Sequence, residues 1–251
     1  MPLLLQNSQL VVACHITGVY DVNRNNTLPN DDYSLVANWA DSIAKLGLHG
    51  IIFHNNFSEA TCTKFTSKHI QFVPITHNKQ YNPNVYRYYI YNQFVTRYAA
   101  QIKSLFVTDI TDVVVQNNPF TQALFLQKPT SLFCGDEPTT LANDWMQAHG
   151  THLRRHIADY GSYEATFKNH TLLNCGIIGG SLQVMQPFIQ QLWAIHQQYN
   201  ANNNSAYTGD MGAFNYLART KFKDNLLHGS PINTVFKMYD AANTTCWFRH
   251  K

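Results

Sequence analysis

The chain has 251 residues, 45% of them hydrophobic and only 13% charged, with a formal net charge of +3. That length and apolar share support a globular α/β domain with a substantial core, and the weak charge leaves no broad field to draw nucleic acid or an anionic membrane. No charged stretch precedes an apolar run at the start, and no segment approaches the roughly 18 apolar residues of a membrane span, so a cytoplasmic protein without signal peptide is expected. Five cysteines (Cys14, Cys62, Cys134, Cys175, Cys246) are scattered without a CxxC pair. They read as reduced, buried thiols, and a disulfide framework or zinc knot is not expected.

Gln9 to Ile16 is a continuous apolar run closed by Thr17-Gly18, which reads as a buried strand feeding a loop. A helix follows: Asp31 or Asp32 can cap it, Leu35, Val36, Trp39, Ile43 and Leu46 form its stripe, and Gly47 can end it. Gly50 to His54 and His69 to Ile75 read as short strands, about Asn84 to Lys103 as an aromatic-rich helix, and Ser104 to Thr108 as another strand. Strands alternating with helices argue for a parallel sheet built from right-handed crossovers. After Phe120 the rhythm loosens. Ser131 to Cys134, Thr171 to Ile178 and Thr245 to Phe248 read as strands, Leu182 to Gln198 and Met211 to Arg219 as helices, and Asn200 to Ser205 as a loop. The expected architecture is one α/β domain over residues 1–251, a mixed and mainly parallel Rossmann-like sheet flanked by helices.

Open α/β sheets bind ligands at the carboxyl ends of their strands. That rule singles out the loops at Thr17-Gly18, Asp109 to Asp112, Asn174 to Gly180, and Gly209-Asp210. The second of these places Asp109 and Asp112 between two apolar β-type runs, Ser104 to Thr108 and Val113 to Val115. Carboxylates are depleted from strands and repel one another, a conflict that a hard divalent cation with oxygen ligands resolves. On the motif alone, Asp109 capping a turn and Asp112 facing solvent is an equal reading.

The segment Thr108-Asp-Ile-Thr-Asp-Val-Val-Val-Gln-Asn-Asn-Pro-Phe120 resembles the DxD segment of GT-A glycosyltransferases. Ile16 to Arg24 (ITGVYDVNR) looks like their nucleotide-binding first loop, and Tyr86 to Phe94 (YRYYIYNQF) like the helix before the metal strand. Leu173 to Ser181 (LNCGIIGGS) is similar to the NxGxxxG segment, Thr208 to Leu217 (TGDMGAFNYL) to the DQxxFN segment, and Trp247 to Lys251 (WFRHK) to the closing strand with its metal-binding His. The layout is nearest to retaining, glycogenin-like enzymes. Two departures stand out: the acidic motif carries one extra residue, and Met211 replaces the usual Gln beside the Asp.

The resemblance implies a transferase that moves a sugar from a nucleotide-diphosphate sugar, a UDP-hexose or UDP-pentose, to a hydroxyl of a glycan, glycoprotein or glycolipid. Residues 1–120 would form the nucleotide-binding half and 121–251 the acceptor-side half. Mn²⁺ or Mg²⁺ would be held by Asp112, Asp109 and His250, with His228 the alternative to His250. Thr17, Gly18, Asp21, Arg24, Arg87, Asp109, Thr111, Gly229 and Lys251 would bind the donor, Lys251 by neutralising its diphosphate. Asp210 and Asn174 would act at the reacting sugar, with retention of configuration preferred because no positioned base is evident. Asp136-Glu137 would bind a sugar hydroxyl or, more simply, form a solvated turn, and simpler roles stay open elsewhere too: an Asx turn for Asp21, ring stacking for Arg87 and an N-cap for Asp210. Asn174, Gly176, Gly179 and Gly180 would let the backbone run close to a sugar. Two other classes compete. A nucleotidyltransferase would need a Gly-rich phosphate loop, which is not seen near the first strand, and a carbohydrate-binding module has no need of the acidic turn and distant His.

Overall fold

The computed structural model describes residues 5, 8–21, 25–201, 209–238 and 240–251. Strand β1 (Ser8–His15) is buried on both faces, as its unbroken apolar run requires. A short hairpin, β2 (Tyr20–Asp21) and β3 (Asn26–Thr27), precedes α1 (Ser34–Lys45). Helix α1 buries Val36, Trp39, Ala40 and Ile43, one stripe at helical spacing. It ends at Gly47, whose φ of +67° lets Leu48 N–H reach back to the Ile43 carbonyl. Asp32 accepts from Ser34 N–H, while Asp31 turns the other way and accepts from Ser58 N–H.

There follow β4 (His49–His54), α2 (Glu59–Phe65), β5 (Ile70–Pro74) and α3 (Pro83–Arg97). Helix α3 stops six residues before the expected Lys103. The chain leaves the helix at Tyr98, makes one 3₁₀ turn, and is already extended at Ile102, which is buried as the first residue of β6 (Ile102–Thr108). Then come β7 (Val113–Val115), α4 (Ala123–Gln127), β8 (Leu132–Thr140), α5 (Asp144–His156), α6 (Tyr160–Phe167) and β9 (Thr171–Ser181). The chain finishes with α7 (Leu182–Tyr199), α8 (Asp210–Lys221), β10 (Leu226–His228) and β11 (Phe248–His250). The last strand lies C-terminal to the expected Thr245 to Phe248, because Phe248 to His250 pair with Val115 to Val113. The loop expected at Asn200 to Ser205 lies mostly outside the described residues.

The main sheet has seven strands in the order β10-β8-β9-β6-β1-β4-β5. Pairings are parallel except that β9 runs antiparallel to both β6 and β8. Alternate β1 residues enter two cores: Leu10 and Val12 face α3, α7 and α8, while Val11 and Ala13 face α1 and an aromatic cluster around Phe106, Phe120 and Trp247. Successive chain segments leave β1 towards β4 on one side and β6 on the other, which opens a crevice at the carboxyl ends of β1 and β6. Among the described residues no helix is long and apolar enough to cross a membrane. All five cysteines are free.

Candidate functional site

The crevice holds a cavity of about 600 Å³, walled by residues from the ends of β1, β6 and β8 and from the starts of β9, α3, α5 and α8. Three devices hold its acidic turn. Trp39 Nε1–H donates to Thr108 Oγ1 at 2.8 Å inside the core, which fixes the last residue of β6. Asp109 N–H donates to the Gly176 carbonyl at 2.8 Å, and Lys251 N–H donates to the Asp112 carbonyl at 3.0 Å. The turn is thus clamped from β9 and from the chain's last residue. Its extra residue relative to DxD is absorbed between β6 and β7, so Asp109, Thr111 and Asp112 all line the cavity.

The β7–β11 pairing sets His250 opposite Val113, next to Asp112. One ligand atom each from Asp109, Asp112 and His250 lies within 4.8 Å of the others, with His250 Nε2 4.0 Å from Asp109 Oδ2. Burial pushes His250 down to about 4 against the pull of Asp109, so its imidazole is neutral and carries a lone pair. Two carboxylates and a neutral imidazole fit a divalent cation of the Mg²⁺ or Mn²⁺ type. Gly176 is required here by close approach: a Cβ on it would stand 2.5 Å from His250 Cε1 and 2.8 Å from Asp109 Oδ2. Gly179 and Gly180 serve packing instead. A Cβ on Gly179 would enter the Phe106 ring, and one on Gly180 would meet the Ser131 carbonyl, so these two glycines sit in the sheet and not beside a sugar.

Arg87, on a helix face that is otherwise aromatic, is 8% exposed. Its guanidinium pairs closely with Asp109, donates to Cys175 Sγ at 3.2 Å, and stands 3.7 Å from Asp210 Oδ2. Asp210 is the first residue of α8 after Gly209, whose φ is +73°, so its carboxylate lies at the positive end of the helix. Asn215 locks α8 to β9 by donating to the Leu173 carbonyl at 2.9 Å and accepting from Leu173 N–H at 3.0 Å. Asn174, next on β9, accepts from Gly176 N–H and donates to Glu137 Oε1, each at 2.7 Å. Burial raises the Glu137 carboxyl, with the Asn174 bond and nearby Lys237 working against that rise. Met211 Sδ accepts from Cys175 N–H at 3.5 Å.

The structure therefore brings Arg87, Asp109, Thr111, Asp112, Asn174 and Asp210 to one cavity, with the buried His250 directly behind. Thr17 and Gly18 lie beside it in a bracing network. Asn55 exchanges two hydrogen bonds with the Thr17 backbone, Asn56 donates to the Thr17 carbonyl, and Ile16 and Val19 face the cavity on either side. Asp21 belongs to β2, and Arg24 lies outside the described residues. His228 and Gly229 form a separate cluster around Asp136: His228 Nδ1 is 2.9 Å from the Asp136 carboxylate, and Gly229 backs against that same group. The Lys251 side chain is not part of the cavity wall, whereas Lys237 and Phe236 are, the Phe236 ring lying tilted against His250 with centroids 4.5 Å apart. Trp145 and His149 of α5 complete the far wall. Sequence reasoning passed over these four; the only mark on them was an indole in a segment of weak apolar periodicity.

Comparison with protein-family models and with curated proteins gives no match. Among solved structures, the galactosyltransferase LgtC in complex with donor and acceptor sugar analogues is similar, with a TM-score of 0.53 over 96% of this chain and 86% of that one. The fold is GT-A. At 13% identity this likeness concerns the fold, and residue roles in the GT-A cavity rest on the geometry above.

The site also sets an acid limit on stability. Burial holds His250 at about 4 and His196 at about 3, against 6.5 for an unperturbed imidazole. Both folded values are depressed, so below pH 6.5 the unfolded chain binds protons that the folded chain refuses. Stability is full above that pH and declines as pH falls towards 4 and 3. In EDTA, the melting temperature is expected to drop steadily from pH 7 to pH 4, with a shallower slope in His250→Gln. An identical slope in the variant would show that His250 is not held neutral.

Proposed function

We propose that the chain is a glycosyltransferase that takes a sugar from a nucleotide-diphosphate sugar, a UDP-hexose or UDP-pentose, and delivers it to a hydroxyl acceptor. The observation that carries this reading is the Asp109, Asp112 and His250 cluster at the switch point of a GT-A sheet. Asp109, Asp112 and His250 would hold a divalent cation there, and when bound it would supply positive charge for a leaving diphosphate, with no need of a protein acid.

The remaining work falls to the chain's own groups. Arg87 keeps Asp109 and Asp210 from repelling each other and holds both facing the cavity. Asp210 and Asn174 are placed to accept hydroxyl hydrogen bonds from the transferred sugar. Met211 has its sulfur committed to Cys175 N–H, so any steadying of the reacting face comes from Asp210 and Asn174. Retention of configuration suits a site whose carboxylates at the sugar are engaged by Arg87 and by the cation.

For the diphosphate, Lys237 is better placed than Lys251. It lines the cavity, packs over Phe236 with Nζ 5.1 Å from the ring centroid, and through that ring adjoins His250. Lys237→Ala is expected to lower kcat/KM for donor about tenfold or more, with a fall in kcat as well as a rise in KM, since the diphosphate that the ammonium meets gains negative charge as it leaves. Lys251→Ala should move neither; the reverse result would return the role to Lys251.

Isothermal titration with UDP, with and without Mn²⁺, tests the reading as a whole. Metal-dependent UDP binding, together with release of nucleotide from one member of a UDP- and GDP-sugar panel, is the expected result. Failure of UDP to bind in the presence of Mn²⁺ would remove the proposal.

A further inference from the structure

We infer that Trp145 is the platform of an acceptor subsite, and that the acceptor is a neutral pyranoside whose apolar face stacks on the indole. This rests on the transferase reading and names its acceptor class. Trp145 is 41% exposed, while Trp39, Trp193 and Trp247 are 8% exposed or less. A large aromatic left open at the wall of a polar cavity costs hydrophobic free energy unless something covers it. Helix α5 holds it there. Asn143 caps the helix by accepting from Met146 N–H at 2.9 Å, Met146 and Leu153 anchor it in the core, and the His149 ring supports the indole at 3.9 Å between centroids.

A line of close neighbours runs from the indole to the metal cluster. His149 Nδ1 is 3.8 Å from Asp210 Oδ1, Asp210 Oδ2 is 3.7 Å from Arg87, and Arg87 pairs with Asp109. The sugar to be transferred must lie over Asp210 and Asn174, so an acceptor hydroxyl reaching its anomeric carbon belongs to a molecule occupying the space from there to Trp145. Among the polar groups that line the cavity with Trp145, beside Thr139 and Asn143, is Glu137, whose carboxyl is held by Asn174. A pyranose meets both demands, with axial C–H groups against the indole and equatorial hydroxyls donating to Glu137. A peptide hydroxyl brings no such flat apolar face.

The exposed tryptophan supplies its own readout, because acrylamide quenches it ahead of the three buried ones. With UDP and Mn²⁺ bound, methyl β-D-galactopyranoside and methyl β-D-glucopyranoside are titrated, alongside a serine-containing peptide. Saturable protection from quenching by at least one pyranoside, and none by the peptide, is expected. Trp145→Ala should weaken binding of that pyranoside, measured by saturation-transfer NMR, about tenfold or more, with Trp145→Tyr recovering most of it. A melting curve of each variant checks that it is folded. Normal UDP binding with no protection by any pyranoside would overturn the subsite and leave the transferase standing. Equal protection by the peptide would overturn the sugar assignment, and loss of UDP binding in the unaltered protein would instead remove the transferase reading.

Discussion

Asp112→Ala is expected to abolish release of nucleotide from the donor sugar, a loss on the order of 10³-fold or more, while the protein stays folded. The separation of the two effects follows from where Asp112 does its structural work. Its backbone carbonyl, which alanine keeps, receives the Lys251 N–H and ties the turn to the C-terminal strand. Its carboxylate contributes one of the three ligand atoms, and the paired β7–β11 strands beyond it bury Val113 and His250 without its help. Removal leaves Asp109 and His250, so the site loses one of its three ligand atoms and one of its two carboxylate charges, which weakens its hold on a divalent ion and misplaces that ion against a diphosphate. Metal-dependent UDP binding should fall with turnover, and the melting temperature of the metal-free protein should move by no more than a few degrees. Unchanged turnover would mean that the cluster is a structural coincidence, and a collapse of the melting temperature would mean that the acidic turn serves the fold.

How far the sequence revealed this site differs from one element to the next, for physical reasons. Strand β1 and helix α1 were legible because two-sided burial and one-sided burial leave clean patterns, an unbroken apolar run and a stripe at Val36, Trp39, Ala40 and Ile43. Helix α5 has an equally regular buried stripe, Met146, His149, Gly150 and Leu153, but two of its four positions are His and Gly, so hydrophobic periodicity does not show it. Those substitutions have local causes. Gly150 sits where a Cβ would crowd Glu164 and Tyr160, and His149 faces Asp210. The cavity's far wall was therefore hidden by the residues that make it polar. The pairing of Asp112 with His250 spans most of the chain and is carried by only three β7–β11 residue pairs, a contact no local pattern encodes; it was expected through family resemblance. Lys237 gave no signal at all, since its place on the wall depends on a left-handed turn at φ +62° in an irregular segment.

Arg87→Met should cost the protein roughly 3–5 kcal/mol of stability, the usual penalty for removing one partner of a buried ion pair, and lower the melting temperature by roughly 10 °C. Methionine replaces the guanidinium's bulk, so packing against Tyr88 and Cys175 survives and the charge is what is lost. Asp210, 6% exposed, then faces Asp109 across the vacated space. His149 cannot take over the neutralising role, because burial lowers its affinity for a proton against the pull of Asp210. Protonation of either carboxylate relieves the repulsion between them, which gives the deficit a sign in pH. A carboxyl raised above its unfolded value destabilises the fold in full above the raised value, and the deficit shrinks as pH falls, vanishing only below the unfolded value. The gap in melting temperature between the unaltered protein and Arg87→Met is therefore expected to be widest near pH 7 and to narrow as pH falls towards about 4, the ordinary carboxylate value, even as the histidines weaken both proteins together. Arg87→Lys, which restores a point charge without the two-armed fork, should recover much of the stability but little of the donor turnover, since one ammonium cannot hold both carboxylates facing the sugar. A pH-independent gap would locate the loss in packing and strip Arg87 of its electrostatic role between the two aspartates.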